Sequence, residues 1–226
     1  MAPVSHTLPP IVNYSLPDPL GVIGDSRGTE LALLAGTLFP RIGAVVAYAP
    51  SAVLWPGVGA GVAADTPAWT YRGQGLPFVP YRTTPAARAT VVAGIGAGRG
   101  EAETPVFLGS LGDTAAVAAA TIPVERIAGP ILRIAGEDDQ LWPSGTFAGL
   151  IADRLRQQGH PYPDLTLRYP AAGHLIGLPN LPTVGDLIRV PGANAALATG
   201  GTPAGNAAAS ADSWPRVLRF LAAALP

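Results

Sequence analysis

Two rhythms of apolar residues alternate along the chain: short unbroken runs, and longer stretches in which every third or fourth residue is apolar. Leu20 to Ile23 is the first run. Gly24-Asp25-Ser26-Arg27-Gly28 follows, and then Leu31, Leu34, Ala35 and Leu38 at helical spacing until Pro40 ends the pattern. This predicts strand, tight turn and helix. Ile42 to Ala49, closed by Pro50, predicts a second buried strand. Strand, helix and strand with a short return make a right-handed βαβ unit, hence a parallel sheet. Pro130 to Ala135 predicts a third strand. Ser144 reads as the cap of a helix to about Gln158, with Phe147, Leu150, Ile151 and Leu155 on one face and Gly159 as its stop. Leu165 to Tyr169 alternates as a fourth strand. Val217, Leu218, Leu221 and Leu225 stripe a closing helix that begins near Pro203 or Ser210, and Pro215 within it predicts a kink or the first turn.

Three stretches lack either rhythm. Residues 1–19 carry five prolines and read as an extended arm with one short strand at Ile11 to Tyr14. Residues 51–121 are rich in Gly, Ala and Pro, and read as a lid or substrate-binding insertion. Trp55, Trp69, Tyr71, Phe78, Tyr81 and Phe107 in that stretch are candidates to line an apolar acyl pocket, the first four as substrate-binding residues; equally, these aromatics could pack the insertion onto the body. Residues 177–206 read as a long irregular surface segment. The domain organisation predicted is an arm (1–19) and one domain (20–226).

Composition narrows the function. The 226 residues carry a net charge of −1, and charged residues are 13 % of the chain, about half the usual share. There is no basic or acidic field to recruit nucleic acid or an anionic membrane, so a small or mostly apolar substrate is expected. All 14 basic residues are Arg, which excludes a catalytic lysine. The lack of cysteine excludes disulfides, thiolate nucleophiles and Cys-based metal sites. Ile42 to Ala64 is the longest uncharged stretch, but Pro50, Pro56 and four glycines argue for strand and loop rather than a membrane span. Met1 to Pro10 has neither the basic nor the apolar region of a signal peptide, so a soluble, cytoplasmic protein is expected.

Gly24-Asp25-Ser26-Arg27-Gly28 fits G-x-S-x-G, and its place between strand and helix is what a nucleophile elbow requires. An activated serine needs a base, and the base needs an acid to fix its tautomer. His6 lies in the arm, and His160 follows a helix stop in a polar, Pro-flanked loop where solvation is expected. His174 comes just past a strand end, the side of an open α/β sheet where ligands bind. Glu137, Asp138 and Asp139 also follow a strand end and supply the acid. Ser, then acid, then His is the order of α/β-hydrolases. The fold expected is therefore α/β-hydrolase-like, a mostly parallel sheet with flanking helices and a long insertion. Gly24-Asp25-Ser26 also opens like a GDS-type lipase, but Ala171 and Gln157 stand where that type needs an Asp three residues before its His, and it is rejected. Three scattered histidines give no metal-ligand spacing, so no metal or other cofactor is expected.

The elbow segment Gly21 to Leu33 is similar to the C-terminal catalytic domain of type I acyl-CoA thioesterases and bile acid-CoA:amino acid N-acyltransferases. So are Val46 to Ser51, Trp69 to Gly73, Ile122 to Ile127, Gly136-Glu137-Asp138-Asp139-Gln140-Leu141-Trp142-Pro143-Ser144, and Tyr169 to Gly177. The resemblance implies Ser26 as nucleophile, His174 as base, Asp139 as acid, the backbone N–H of Arg27 as oxyanion donor, and an acyl-CoA substrate. Some family members carry Cys at the nucleophile position and pass the acyl group to an amino acid; Ser26 tilts the expectation to hydrolysis. The strands, helices and Gly-rich loop that usually precede the elbow are not found in residues 1–19, so an N-terminally truncated fold is expected. That leaves a sheet edge for a second copy or a partner chain to cover. Two alternatives stay open: a non-catalytic or partner-completed fragment, and an N-acyltransferase.

Overall fold

The computed structural model describes residues 18–59, 61–177, 187–189 and 196–225. The predicted strand at Ile11 to Tyr14 lies outside the described residues, as does most of the arm.

Four parallel strands form the main sheet: β1 (Leu20–Asp25), β2 (Ile42–Tyr48), β5 (Ile131–Gly136) and β6 (Leu165–Tyr169), in the order β1-β2-β5-β6. The register sets Ile23 against Val46, Val45 against Ile131 and Ile134 against Leu167. β2 and β5 are buried along their whole length, which explains the unbroken apolar run of β2; in β5 the run is interrupted by Arg133, buried with its Nε–H donated to Thr166 Oγ1 at 2.9 Å. Successive side chains leave opposite faces. Val45 and Ile131 meet Leu33 and Leu34 of α1 (Arg27–Leu38) together with Phe147, Ile151 and Leu155 of α5 (Ser144–Gln157). On the other face Val46, Tyr48, Leu132 and Ile134 meet Ala209 and Val217 of α6 (Pro203–Ala224). The result is a three-layer α/β domain. Among the described residues β1 forms one edge of the sheet, with Ile23 exposed.

Residues 51–121 are more regular than their lack of period predicted. They contain the hairpin β3 (Thr70–Tyr71) and β4 (Gln74–Gly75), then α2 (Pro85–Gly96), α3 (Thr104–Ser110) and α4 (Thr114–Ala120). α3 and α4 are only 7 residues long, and α4 is built largely from alanine, so no apolar stripe could accumulate. Side-chain caps start two of them: Thr84 Oγ1 accepts from Ala87 N–H, and Asp113 Oδ1 from Ala116 N–H.

Other boundaries differ in instructive ways. Ser144 is the first residue of α5 and not its cap; its hydroxyl donates back to the Gly136 carbonyl at 3.2 Å, tying the helix start to the end of β5. Thr202 caps α6, accepting from Gly205 N–H, and the helix runs on through Pro215 without ending there. Within 177–206 the structure places two antiparallel strands, β7 (Leu187–Arg189) and β8 (Ala196–Ala198), and Ala198 and Thr199 are fully buried. Among the described residues no helix is long and apolar enough to cross a membrane, and the apolar run from Ile42 is the strand β2 as far as Tyr48.

Candidate active site

Ser26 sits between the last residue of β1 and the first of α1 with φ 52° and ψ −124°. A left-handed conformation costs a non-glycine residue roughly 1–3 kcal/mol, so the surrounding structure must enforce it. The Ser26 N–H donates to the Tyr48 carbonyl at 3.0 Å, and the Ser26 carbonyl accepts from the Thr29 hydroxyl at 2.7 Å. Gly24 is sterically required: a Cβ there would strike the Gly28 carbonyl. Gly28 is not, since a Cβ on it meets open space. Of the two glycines in the elbow pattern, only the first is demanded by the packing.

The structure brings Ser26, His174 and Asp139 into one hydrogen-bonded line. His174 Nε2 lies 2.8 Å from Ser26 Oγ, and His174 Nδ1 lies 3.0 and 3.2 Å from the two Asp139 carboxylate oxygens. An ionised carboxylate only accepts, so Nδ1 carries the ring proton and the Nε2 lone pair faces the serine hydroxyl. Asp139 is held in turn: its Oδ1 accepts from Leu141 N–H at 3.0 Å and Trp142 N–H at 3.1 Å. The two other acidic candidates are occupied elsewhere. Glu137 pairs with Arg168 at 2.7 Å, and Asp138 Oδ2 accepts from Gly201 N–H at 2.9 Å. Asp139 and His174 side chains are almost wholly buried. Above Ser26, the first-turn N–H of Arg27 has no acceptor within its helix, and the positive end of α1 points the same way.

Three further groups support this line. Trp142 packs edge-on to the His174 ring at 5.5 Å, its indole N–H anchored on the Ala49 carbonyl at 3.1 Å. The Thr199 carbonyl accepts from His174 N–H at 2.8 Å and from Gln140 N–H at 3.4 Å, so the segment after β8 straps the histidine loop to the acid loop. Gly200 (φ 71°) and Gly201 (φ 72°) let that strap pass, and a Cβ on Gly200 would strike the Asp138 carbonyl. The adjacent glycines were the signal available in the sequence. The third support is Glu30, fully buried in α1. It pairs with Arg27 at 2.9 Å and accepts from Trp69 Nε1–H at 2.8 Å, while Arg27 Nη2 donates to the Pro56 carbonyl at 2.6 Å. Burial pushes the Glu30 carboxyl up to about 7, against the pull of Arg27. This network pins the insertion to the elbow helix.

A cavity of about 480 Å³ opens on Ser26, lined by Arg27, Val58, Tyr81, Thr83, Glu103, Val106, Phe107, Leu141, Trp142 and Leu197. Of the six candidate aromatics of the insertion, Tyr81 and Phe107 line it, and Trp55, Trp69, Tyr71 and Phe78 do not. Trp55 is fully buried in the core, stacked on Tyr81 at 5.8 Å and edge-on to Phe107 at 4.7 Å. Trp69 serves Glu30, Tyr71 faces a separate cleft beside Leu76 and Ile122, and Phe78 packs on the core. They fasten the insertion down, while Tyr81, Phe107 and Trp142 form the cavity wall. His160 is also corrected. Its ring is buried rather than solvated, bonded through Nδ1 to Asp164 at 2.8 Å and through Nε2 to the Ile127 carbonyl at 3.0 Å. It knits the loop after α5 to the residues leading into β5.

A strained serine at the turn after β1, an acid after β5 and a histidine after β6 converge at the C-terminal edge of a parallel sheet, and the fold is that of an α/β-hydrolase. Sequence comparison refines the class. Residues 110–226 match the family described as BAAT / Acyl-CoA thioester hydrolase C terminal, and the chain belongs to that family of acyl-CoA thioesterases and acyltransferases. The mouse peroxisomal succinyl-coenzyme A thioesterase is 36 % identical over 100 residues, 44 % of this chain and 23 % of that protein. The rat acyl-coenzyme A amino acid N-acyltransferase 2 is 37 % identical over 103 residues, again 44 % of this chain and 23 % of that protein. The match thus spans under a quarter of these relatives' length. Among solved structures, acetyl xylan esterase 1 from Thermoanaerobacterium sp. JW/SL YS485 aligns over 70 % of this chain and 40 % of its own, with 19 % identity and a TM-score of 0.34.

Proposed function

We propose that this chain hydrolyses acyl-CoA thioesters through an acyl-enzyme on Ser26. The observation that carries the reading is the unbroken contact from Ser26 Oγ to His174 Nε2 and from His174 Nδ1 to Asp139. Ser26 Oγ attacks the thioester carbonyl as His174 Nε2 takes its proton. The tetrahedral oxyanion meets the Arg27 N–H, and Asp139 stabilises the imidazolium. Collapse breaks the carbon–sulfur bond, and His174 returns the proton to the departing CoA thiolate. Water then attacks the Ser26 ester with His174 again as base, releasing the acid. The largely apolar cavity beside Ser26 suits the acyl group.

Water is favoured over an amine as acceptor by the nucleophile itself. A serine ester lacks the selectivity for amines over water that a cysteine thioester would give. Among the described residues β1 pairs on one side only, which supports a companion reading in which a second copy or a partner chain pairs with it. Thiol release from short- to long-chain acyl-CoA, measured with and without glycine or taurine, tests the proposal. Free acid and CoA in equal amounts, lost in Ser26→Ala, are expected. Conjugate formed in preference to acid would move the assignment to an acyltransferase, and turnover of simple esters alone would move it to a general esterase.

A further inference from the structure

The wall of the Ser26 cavity is mostly apolar, and two ionisable side chains other than the tyrosine interrupt it: Arg27 and Glu103. They are not equivalent. The Arg27 guanidinium is committed, paired with Glu30 at 2.9 Å and donating to the Trp55 and Pro56 carbonyls at 3.3 and 2.6 Å. Glu103 stands at the N-terminus of α3, where its backbone carbonyl accepts from Val106 and Phe107 but its side chain makes no capping bond. The group acting on its carboxyl is another carboxyl, Glu101, through like-charge repulsion and a side-chain hydrogen bond between the two, and among the described residues no cation pairs with it there. Glu103 therefore presents unneutralised acidity to a pocket made for an acyl chain.

We propose that Glu103 sets the charge selectivity of the acyl pocket, admitting neutral, hydroxylated or ammonium-bearing acyl groups and rejecting those that end in a carboxylate. The inference rests on the reading of Ser26 as nucleophile, since that places the acyl group in this cavity. Burial first, and Glu101 second, push the Glu103 carboxyl up to about 7. The other ionisable groups facing it are Tyr81, whose phenol is raised by burial, and Arg27, whose partner Glu30 is itself pushed up to about 7, so only the comparison of variants at pH 8.5 isolates Glu103. Above pH 8 Glu103 is charged, and a second carboxylate about 5–6 Å away in a half-buried wall is disfavoured by a factor on the order of 100. Near pH 6 Glu103 holds a proton, and the penalty shrinks.

Acyl-CoA pairs of equal carbon count read this directly: butyryl against succinyl, hexanoyl against adipoyl, octanoyl against octanedioyl. At pH 8.5 the ratio of kcat/KM, neutral over carboxylated, should approach 100 for at least one pair and fall at least tenfold at pH 6. Glu103→Gln should collapse the ratio at pH 8.5, while Glu101→Gln, which keeps the Glu103 charge, should preserve it. A ratio unchanged by Glu103→Gln, or collapsed by Glu101→Gln alone, overturns the proposal. The same ratio is measured without turnover by calorimetric binding of each pair to Ser26→Ala. If the wild-type chain releases no CoA, the nucleophile assignment fails, whereas equal binding of both members of every pair refutes the role of Glu103.

Discussion

Replacing Asp139 by Asn changes one atom and should abolish most of the activity, for a reason the geometry makes explicit. Asp139 Oδ1 accepts from two backbone donors, Leu141 N–H at 3.0 Å and Trp142 N–H at 3.1 Å. An asparagine must therefore aim its amide oxygen at that pair, because turning its NH2 toward them would strand two donors against a third. The NH2 then takes the place of Oδ2, 3.0 Å from His174 Nδ1. An amide NH2 only donates, so Nδ1 has to accept and the ring proton moves to Nε2. That N–H faces Ser26 Oγ at 2.8 Å, and the base is gone although every heavy atom has stayed in place. In serine proteases the same exchange costs about 10⁴ in kcat, equivalent to roughly 5.5 kcal/mol of barrier. The assay is acyl-CoA turnover at saturating substrate, with thermal unfolding alongside. A drop near 10⁴ with Tm changed by only a few degrees is expected. A loss below tenfold would refute the tautomer reasoning and with it the role of Asp139.

Other perturbations read other parts of the account. Glu30 is lifted from 4.5 to about 7 in the folded state, so the fold holds this proton more tightly than the unfolded chain, and stability falls as pH rises between those values. The shift corresponds to on the order of 3 kcal/mol; denaturant titrations from pH 5 to 8 should show that decline in the wild type and a flatter profile in Glu30→Gln, and equal slopes would contradict it. Gly200→Ala forces a side chain onto a left-handed backbone and into the Asp138 carbonyl, so it should cost more than about 2 kcal/mol in urea unfolding and depress turnover at the same time. Gly28→Ala, in open space on α1, should instead be neutral or stabilising by up to about 1 kcal/mol despite lying in the elbow pattern; strong destabilisation would show that Gly28 is needed for more than steric room.

The parts of the fold legible in the sequence are those with strong periodicity or forced chemistry. β2 is buried on both faces and shows an unbroken apolar run closed by Pro50, β5 shows one interrupted only at Arg133, and α5 has an apolar face bounded by Gly159. The meeting of Ser26, Asp139 and His174 could be anticipated from order and position alone, because parallel strands deliver their C-terminal loops to one edge. Choosing Asp139 over its two acidic neighbours needed either family resemblance or coordinates, since all three follow β5. What could not be read was contact made by backbone groups and by small residues. The Thr199 strap acts through a carbonyl, which any residue possesses, and α3 and α4 of the insertion, at 7 residues each, are too short to show a period. The aromatics misled for a related reason: Trp55 and Trp69 have both apolar bodies and polar N–H groups, and the structure uses them as anchors, Trp55 on Ser51 and Trp69 on Glu30.

The central claim is that Ser26 is an activated nucleophile, and covalent labelling tests it without assuming a substrate. Incubation of the purified chain with a fluorophosphonate probe, followed by peptide mass mapping, should place the adduct on Ser26 among the eight serines of the sequence, with the rate falling at least 10³-fold in His174→Ala. Failure to label Ser26 under conditions where the chain is folded, or labelling undiminished in His174→Ala, would contradict the account.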